Sequence, residues 1–335
     1  MTVKTLRWGL VGLGSLARNG IMPAAGRAKH AVVTAGVTRD VAKGRAFGAQ
    51  FGIPSIYASV EEMVRAPDVD AVFVMSPNDQ HTPAVLAAAA AGKHVLCEKP
   101  LAMVEAEAQA MIAGCAAAGV QLRIGLHLRF ERFLDRVAAV LQSGEIGTIR
   151  AVSIERAAPL AERSAWREDP AQGGGILYDV GLHLLDLVPR LLGSGYASVG
   201  GLAFPPPGSG MGADTLSLLL RTQSDVQVSL RASREAPFAG SDLVVLGTAG
   251  MLRTGPLRWV EAFTLTVTNA AGTRQESVPA CDLYRDELDG FALDLADGGT
   301  RLGTGADGLR LVRLAAAVEQ AVAEGRMVNL EGLDA

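Results

Sequence analysis

Gly12-Leu13-Gly14-Ser15-Leu16-Ala17 follows the apolar run at residues 7–11 and opens a segment rich in good helix formers. A Gly-x-Gly-x-x-Ala turn between a strand and a helix is what a bound dinucleotide requires. Gly12 permits the tight turn, Gly14 lets backbone approach the pyrophosphate, and Ala17 allows the helix to pack closely on the sheet. The free N–H groups at the helix start, at Ser15 and Leu16, then face the phosphates. Glycine turns are common, and it is the strand before, the helix after and a second strand beyond that make this one specific.

Outward from the turn, short apolar runs alternate with helical stretches up to about Gly125, as a doubly wound parallel sheet requires. The pattern predicts strands at residues 7–11, 32–37, 71–75, 94–97 and 121–125, with helices at 15–28, 41–51, 82–91 and 105–118. After Phe130 the character changes. Residues 151–155, 215–221, 226–232, 243–246 and 263–268 are strand-like and joined by short turns such as Gln223-Ser224-Asp225, which suits an antiparallel sheet. Val226, Val228, Leu230 and Ala232 alternate with Gln227, Ser229 and Arg231, so one sheet face is buried and the other polar. The fold class is α/β: an N-terminal Rossmann doubly wound parallel sheet (1–125), then a second α+β domain on a largely antiparallel open sheet (126–305). Residues 306–335 are expected to form a closing helix and tail against both. The polar, Ser/Thr-rich face of the second sheet points to a homodimer or homotetramer.

Composition narrows the function. A formal net charge of -4 argues against a broad surface for nucleic acid or anionic lipid, and for a small-molecule partner. The most apolar tract, 84–91, falls far short of the roughly 20 residues of a membrane span. Cys97, Cys115 and Cys281 have neither zinc-site nor disulfide-framework spacing. No signal peptide is expected between Met1 and Arg7, so the expected location is the cytoplasm.

The end of the second strand selects the ribose. An NAD site usually places Asp or Glu there for the 2′-hydroxyl. Here the slot reads Thr38-Arg39-Asp40. A hydroxyl followed by a guanidinium suits a 2′-phosphate, which points to NADP in preference to NAD. Asp40 capping the next helix beside a solvated Arg39 is the other reading.

Further motifs occur in order along nearly the whole chain: Ser76-Pro77-Asn78 with His81, Gly92-Lys93-His94, Cys97-Glu98-Lys99-Pro100 and Arg129-Phe130. They continue with Trp166-Arg167, Gly173-Gly174-Gly175, Asp179-x-Gly181-x-His183 and Gly305-Ala306-Asp307-Gly308. In this set the sequence resembles the glucose-fructose oxidoreductase and inositol dehydrogenase family (Gfo/Idh/MocA). The resemblance implies Lys99, Asp179 and His183 as catalytic residues. It places Ser76, Pro77, Asn78, His81, Glu98 and Lys99 near the cofactor, with Trp166 and Arg167 closing over it. Arg129 is a cofactor contact or a structural ion-pair partner, and His127 and Tyr284 either reach substrate from the second domain or serve ordinary packing.

The chemistry agrees. An ammonium at Lys99 can stabilise alkoxide character on a reacting oxygen. His183 has the intrinsic pKa to exchange the hydroxyl proton. Asp179, four residues earlier on a helix, can orient it or pair with Lys99. A metal pair or a purely structural pair are the alternatives, and no metal is expected because no third ligand cluster is visible. The expected activity is hydride transfer between a nicotinamide and a carbinol or carbonyl carbon of a sugar, polyol or related cyclic compound, the substrate class coming from the resemblance. The alternative is a non-catalytic NAD(P)-sensing regulator on the same fold.

Overall fold

The computed structural model describes residues 3–159, 165–236, 240–255 and 262–333. Its first sheet is built from β1 (Leu6–Val11), β2 (Ala31–Val37), β3 (Ser55–Tyr57), β4 (Ala71–Val74), β5 (His94–Glu98) and β6 (Leu122–Gly125). Every position of β4 and β6 is buried. Such unbroken burial is what a parallel sheet covered on both faces imposes. The order is β6-β5-β4-β1-β2-β3, all parallel, with the two-residue strand Gly303–Thr304 added antiparallel to β6. Chain order reverses between β1 and β4, which opens a crevice at the carboxyl ends of those strands, where open α/β sheets bind ligands.

Five of these strands are legible in sequence, whereas β3, three half-buried residues, is too short to carry a period. The helix expected at 15–28 is instead a π-type turn at Ala17–Ile21 followed by Met22–Ala25. Pro23 explains the change: it cannot donate to the carbonyl of Asn19 and its ring crowds that carbonyl.

Compactness divides the chain into two units. The first holds the described residues of Met1–His127 and Asp282–Val312, the second those of Leu128–Cys281 and Arg313–Ala335. Residues 282–305, assigned by sequence to the second domain, therefore belong with the first sheet, and the closing segment 306–335 is divided at Val312. The anchors are long-range. Phe291, on helix Leu283–Asp297, packs edge-on against Trp8 at 5.0 Å. Asp294, 2% exposed, accepts from the N–H groups of Arg301 and Leu302 and faces Arg123 Nε at 3.4 Å. No local period announces such contacts.

In the second unit β7 (Ile149–Ala157), β8 (Tyr196–Phe204), β9 (Thr215–Thr222), β10 (Gln227–Ser233), β11 (Gly240–Gly247), β12 (Gly250–Thr254), β13 (Phe263–Asn269) and β14 (Gly272–Val278) form one sheet. Its order is β14-β13-β12-β11-β7-β10-β9-β8, closed by Val328–Asn329. Only the β7–β10 pairing is parallel among the described residues. The predicted alternation holds: Val228, Leu230 and Ala232 are buried while Gln227, Ser229 and Arg231 are exposed. The outward face is less polar than the sequence suggests. Leu202, Phe204 and Leu219 are 74%, 68% and 65% exposed, because β8 and β9 carry apolar residues at outward as well as inward positions. A shallow groove of about 550 Å³ runs across this face past Ser153, Gly201, Leu202, Leu219 and Arg231.

Candidate active site

The glycine turn has the shape the sequence demands. Gly12 has φ +98°, and a Cβ there would lie 2.7 Å from the Met75 carbonyl oxygen at the end of β4. Gly14 is exposed, and a Cβ on it would meet nothing within 4 Å. The turn is thus closed against the sheet at Gly12 and open outward at Gly14. Across the crevice, the Ser76 hydroxyl is buried without a hydrogen-bond partner. An orphaned hydroxyl past β4 and an open glycine backbone past β1, the two strands that flank the switch point, fit a polar ligand laid there, as a dinucleotide is. Ser15 Oγ accepts from Asn19 Nδ2 at 3.1 Å, and Ala17 is fully buried against the sheet.

At the end of β2, Asp40 does cap helix Val41–Phe51, accepting from the Lys43 N–H at 3.1 Å. Its carboxylate is therefore committed to the helix. Arg39 is exposed and its side chain makes no hydrogen bond or ion pair among the described residues. Thr38 is half-buried, its methyl packed towards Gly44.

His81 departs from the reading that puts it under the nicotinamide. It is fully buried, with Nδ1 2.9 Å from the Pro100 carbonyl and Nε2 3.0 Å from the Ser76 carbonyl. Burial lowers its pKa despite those carbonyls. With no surface left for a ligand, it ties the loop after β4 to the loop after β5. Pro77 precedes the short turn Asn78–Gln80; Asn78 is buried and does not cap helix His81–Ala90, which has no side-chain cap. Glu98, the last residue of β5, accepts the Lys99 N–H through Oε2 at 3.2 Å. Lys99 therefore leaves the sheet at its carboxyl edge from a fixed backbone.

In the second unit Asp179 lies within a π-type turn, Leu177–Gly181, that runs into helix Leu182–Leu192, which carries His183. His183 is 6% exposed. The Asp179 carboxylate is held by cations of its own unit: Arg167 Nε at 3.2 Å and Arg234 Nη1 at 3.7 Å. Arg234 also grips Asp214 and Glu168. Arg167 in turn lies over the Trp166 ring at 4.4 Å, so both residues serve to set Asp179. Arg129 is the structural ion-pair partner, not a free cofactor cation: its Nε and Nη2 lie 2.7 and 2.6 Å from the two oxygens of buried Asp186. A bidentate pair of this kind leaves the guanidinium little to offer a ligand.

His127 and Tyr284, expected from the second domain, both belong to the first unit. Their rings lie 4.7 Å apart, and Tyr284 packs against Gly20 behind the glycine turn.

One polar cluster escapes the sequence reading altogether. Glu131, Arg156, Ser241 and Cys281 converge in the second unit, with Arg156 Nη1 3.1 Å from Ser241 Oγ and Cys281 Sγ 3.5 Å from Glu131 Oε2. A signal existed: Val152 and Ile154 point inward along β7, and Arg156 is the next inward position of that alternation. Burial pushes the Glu131 carboxyl up to about 7, against smaller opposing effects of Cys281 and Arg156, and pulls Arg156 down to about 10.

The folded state thus binds more protons at Glu131 than the unfolded chain between the ordinary 4.5 and about 7. Stability falls as pH rises through that window and levels off above it. Glu131→Gln is expected to be more stable than the wild type at pH 8, by on the order of 3 kcal/mol, and no more stable at pH 4. Urea midpoints at the two pH values check this.

Among the described residues, no group of three or more His, Cys, Asp or Glu side chains is placed to hold a metal ion, and no helix is long and apolar enough to cross a membrane.

A dinucleotide turn at the switch point of a doubly wound sheet, in a chain whose other unit is an open, mostly antiparallel sheet, defines a dinucleotide-dependent oxidoreductase. Comparison with known proteins agrees. Residues 6–126 match the family model "Oxidoreductase family, NAD-binding Rossmann fold", and residues 134–253 match the "GFO/IDH/MocA C-terminal domain". The 1,5-anhydro-D-fructose reductase of Ensifer adhaerens is 32% identical over 97% of this chain and 98% of its own length. The trans-1,2-dihydrobenzene-1,2-diol dehydrogenase of Mus musculus is 32% identical over 82% of this chain and 80% of its own. Among solved structures, the aldose-aldose oxidoreductase from Caulobacter crescentus complexed with glycerol matches with a TM-score of 0.88 at 28% identity, covering 98% of this chain and all of that one. The chain belongs to the GFO/IDH/MocA family and is an oxidoreductase with an NAD-binding Rossmann fold.

Proposed function

We propose that this enzyme moves a hydride between NADP and a carbinol or carbonyl carbon of a sugar, polyol or related cyclic compound, with Lys99, Asp179 and His183 as its catalytic residues. The observation that carries the reading is the open Gly14 backbone after β1 together with the orphaned Ser76 hydroxyl just past β4, the strand next to the one that ends at Lys99. The relatives' names, an anhydro sugar reductase and a cyclic diol dehydrogenase, support the substrate class.

Gly12, Gly14, Ser15, Leu16 and Ala17 would hold the pyrophosphate, Thr38 and Arg39 the adenosine ribose and its 2′-phosphate, and Ser76 and Asn78 the region over β4. When bound, the nicotinamide donates or accepts the hydride. The chain's own groups manage charge and protons. Lys99 donates a hydrogen bond to the reacting oxygen and stabilises its negative character. His183 gives that oxygen a proton in reduction and removes it in oxidation. Asp179, fixed by Arg167 and Arg234, would orient the His183 imidazole for that exchange.

The cofactor preference rests on Arg39. Arg39→Asp is expected to weaken NADPH binding at least about tenfold and to improve NADH binding, since a carboxylate repels the 2′-phosphate and accepts from a 2′-hydroxyl. Fluorescence competition between the two cofactors reads this out, and tighter binding of NADH by the wild type would contradict the assignment.

A second copy of this chain is the proposed cover for the outward face of the second sheet. The exposed Leu202, Phe204 and Leu219 are flanked there by both charge signs, Glu155 and Arg231 paired at 2.5 Å, so the face can meet its own copy about a two-fold axis. Light scattering is expected to give at least a dimer for the wild type and a monomer for Leu219→Glu. A wild type that stays monomeric across a wide concentration range would contradict this cover.

A further inference from the structure

The run Gly173-Gly174-Gly175 belongs neither to the cofactor turn nor to the proposed catalytic trio, yet it leads directly into the turn Leu177–Gly181 that carries Asp179. Its close neighbours, all in the second unit, are backbone atoms. A Cβ on Gly174 would stand 2.6 Å from the Arg167 carbonyl oxygen and 2.7 Å from both the N and the O of Asp169. A Cβ on Gly212 would in turn stand 2.7 Å from the Gly174 carbonyl oxygen. Three stretches of chain, residues 167–169, 173–175 and 212–213, therefore meet with bare backbone against bare backbone. Hydrogen bonds join them. The Gly174 N–H donates to the Asp169 carbonyl at 2.9 Å, Gly175 to Arg167 at 3.0 Å, Gly212 to Glu168 at 3.1 Å and Ile176 to Ala213 at 2.7 Å. A side chain at position 174 would force one of these stretches away from the others.

Arg234, 3% exposed, closes the stack. Its Nη1 donates to the same Arg167 carbonyl at 3.1 Å and its Nη2 to the Glu168 carboxylate at 2.8 Å, while Nε pairs with Asp214. Only a planar fork with donors in fixed directions can span these three groups at once. The Arg167 backbone is thus held by two donors, and its side chain lies over the Trp166 ring with Nε 3.2 Å from Asp179 Oδ1.

We propose that Gly174 is a positioning residue: by letting residues 167–169 seat against the glycine run, it sets Arg167 where its guanidinium holds the Asp179 carboxylate. Asp179 is tied to the same run, since its N–H donates to the Gly175 carbonyl at 3.1 Å. Both members of the Arg167–Asp179 pair are therefore placed by one piece of backbone. The proposal rests on the reading of Asp179 as a catalytic residue. One methyl group wedged at Gly174 moves Arg167 relative to Asp179, and a misplacement of about 1 Å around a reacting centre costs up to about a hundredfold in rate.

A crystal structure of Gly174→Ala is expected to show the Arg167–Asp179 pair opened beyond about 4 Å; an unchanged pair overturns the proposal. Turnover supplies a double-mutant cycle, measured with NADPH and the fastest-reduced member of a panel of aldoses, anhydro sugars and cyclic ketones. Gly174→Ala should lower kcat about tenfold or more, with NADPH affinity changed less than about threefold. In an Arg167→Met background, where the pair is already gone, the same glycine change should lower kcat less than about twofold, because two changes to one interaction are not additive. A glycine that served only the fold would cost the same factor in both backgrounds. That outcome, or a folded Gly174→Ala with wild-type kcat, overturns the proposal. If Gly174→Ala does not fold, Arg234→Lys replaces it in the same cycle with the same expectations, since it frees the Arg167 carbonyl from its second donor. Wild-type kcat in Asp179→Asn would defeat the reading of Asp179, and the positioning role with it. An impaired Asp179→Asn with equal factors in the two backgrounds defeats the positioning role alone.

Discussion

Lys99→Ala is expected to lower kcat by about a thousandfold, the scale of losing one preorganised stabiliser of a developing oxyanion, while dinucleotide affinity stays near the wild-type value. The split follows from where Lys99 sits. Its backbone is fixed at the carboxyl edge of the sheet by Glu98, away from the glycine turn that would carry the phosphates, so truncation leaves that turn intact. A hydrogen bond to the reacting oxygen accelerates the reaction only as far as it is stronger in the transition state than in the bound substrate. The loss should therefore appear in kcat and kcat/KM together. Lys99→Arg should recover little, because a planar guanidinium cannot replace a point ammonium on a reacting atom. Cofactor titration by fluorescence alongside steady-state kinetics separates the two effects, and a Lys99→Ala enzyme with wild-type turnover would remove the lysine from the chemistry.

Gly12→Val is expected to be the most damaging change in the cofactor half, costing stability and binding together. Its Cβ would be driven to 2.7 Å from the Met75 carbonyl oxygen at φ +98°. Strain at such an angle costs on the order of 1–3 kcal/mol before any clash, and the clash is with backbone that cannot rotate away. The loop carrying Ser76 must move, so dinucleotide affinity should fall by at least about a hundredfold, as a misplaced site of this size entails. Gly14→Ala is the control, since the added methyl meets no protein atom within 4 Å. Its thermal midpoint should match the wild type while affinity falls about tenfold, because the methyl occupies space reserved for the ligand. Equal stability losses for the two variants would show that both glycines serve only the fold.

What was readable in the sequence was local. The Gly12 turn announces itself because strand, turn and helix are consecutive, and β7, β9, β10, β11 and β13 because alternation every second residue is a short-range pattern. The cofactor turn, the capping alternative for Asp40 and the ion-pair alternative for Arg129 were open to inspection for the same reason. What was hidden depends on contacts across the chain. Asp282–Val312 returns to the first unit through Phe291 on Trp8 and Asp294 facing Arg123, and nothing between residues 126 and 305 marks the point of return. Arg129 could be weighed as an ion-pair partner, but Asp186 could not be named. His81 looks like a ligand contact in a motif, and only its two carbonyl neighbours reveal a tie between loops. Glu131 and Arg156 meet only once β7 is placed beside the start of helix Arg132–Ser143.

On the proposed reading a hydride passes between a nicotinamide and a substrate carbon on this protein. This transfer is tested most directly by supplying NADPH deuterated at C4 with a panel of aldoses, anhydro sugars and cyclic ketones, and following the label by mass spectrometry. Deuterium is expected on the new carbinol carbon of one product class and is lost in His183→Ala. Tight NADPH binding with no label in any product, and no change in nicotinamide absorbance, would contradict it and leave a nucleotide-sensing protein on an enzyme fold.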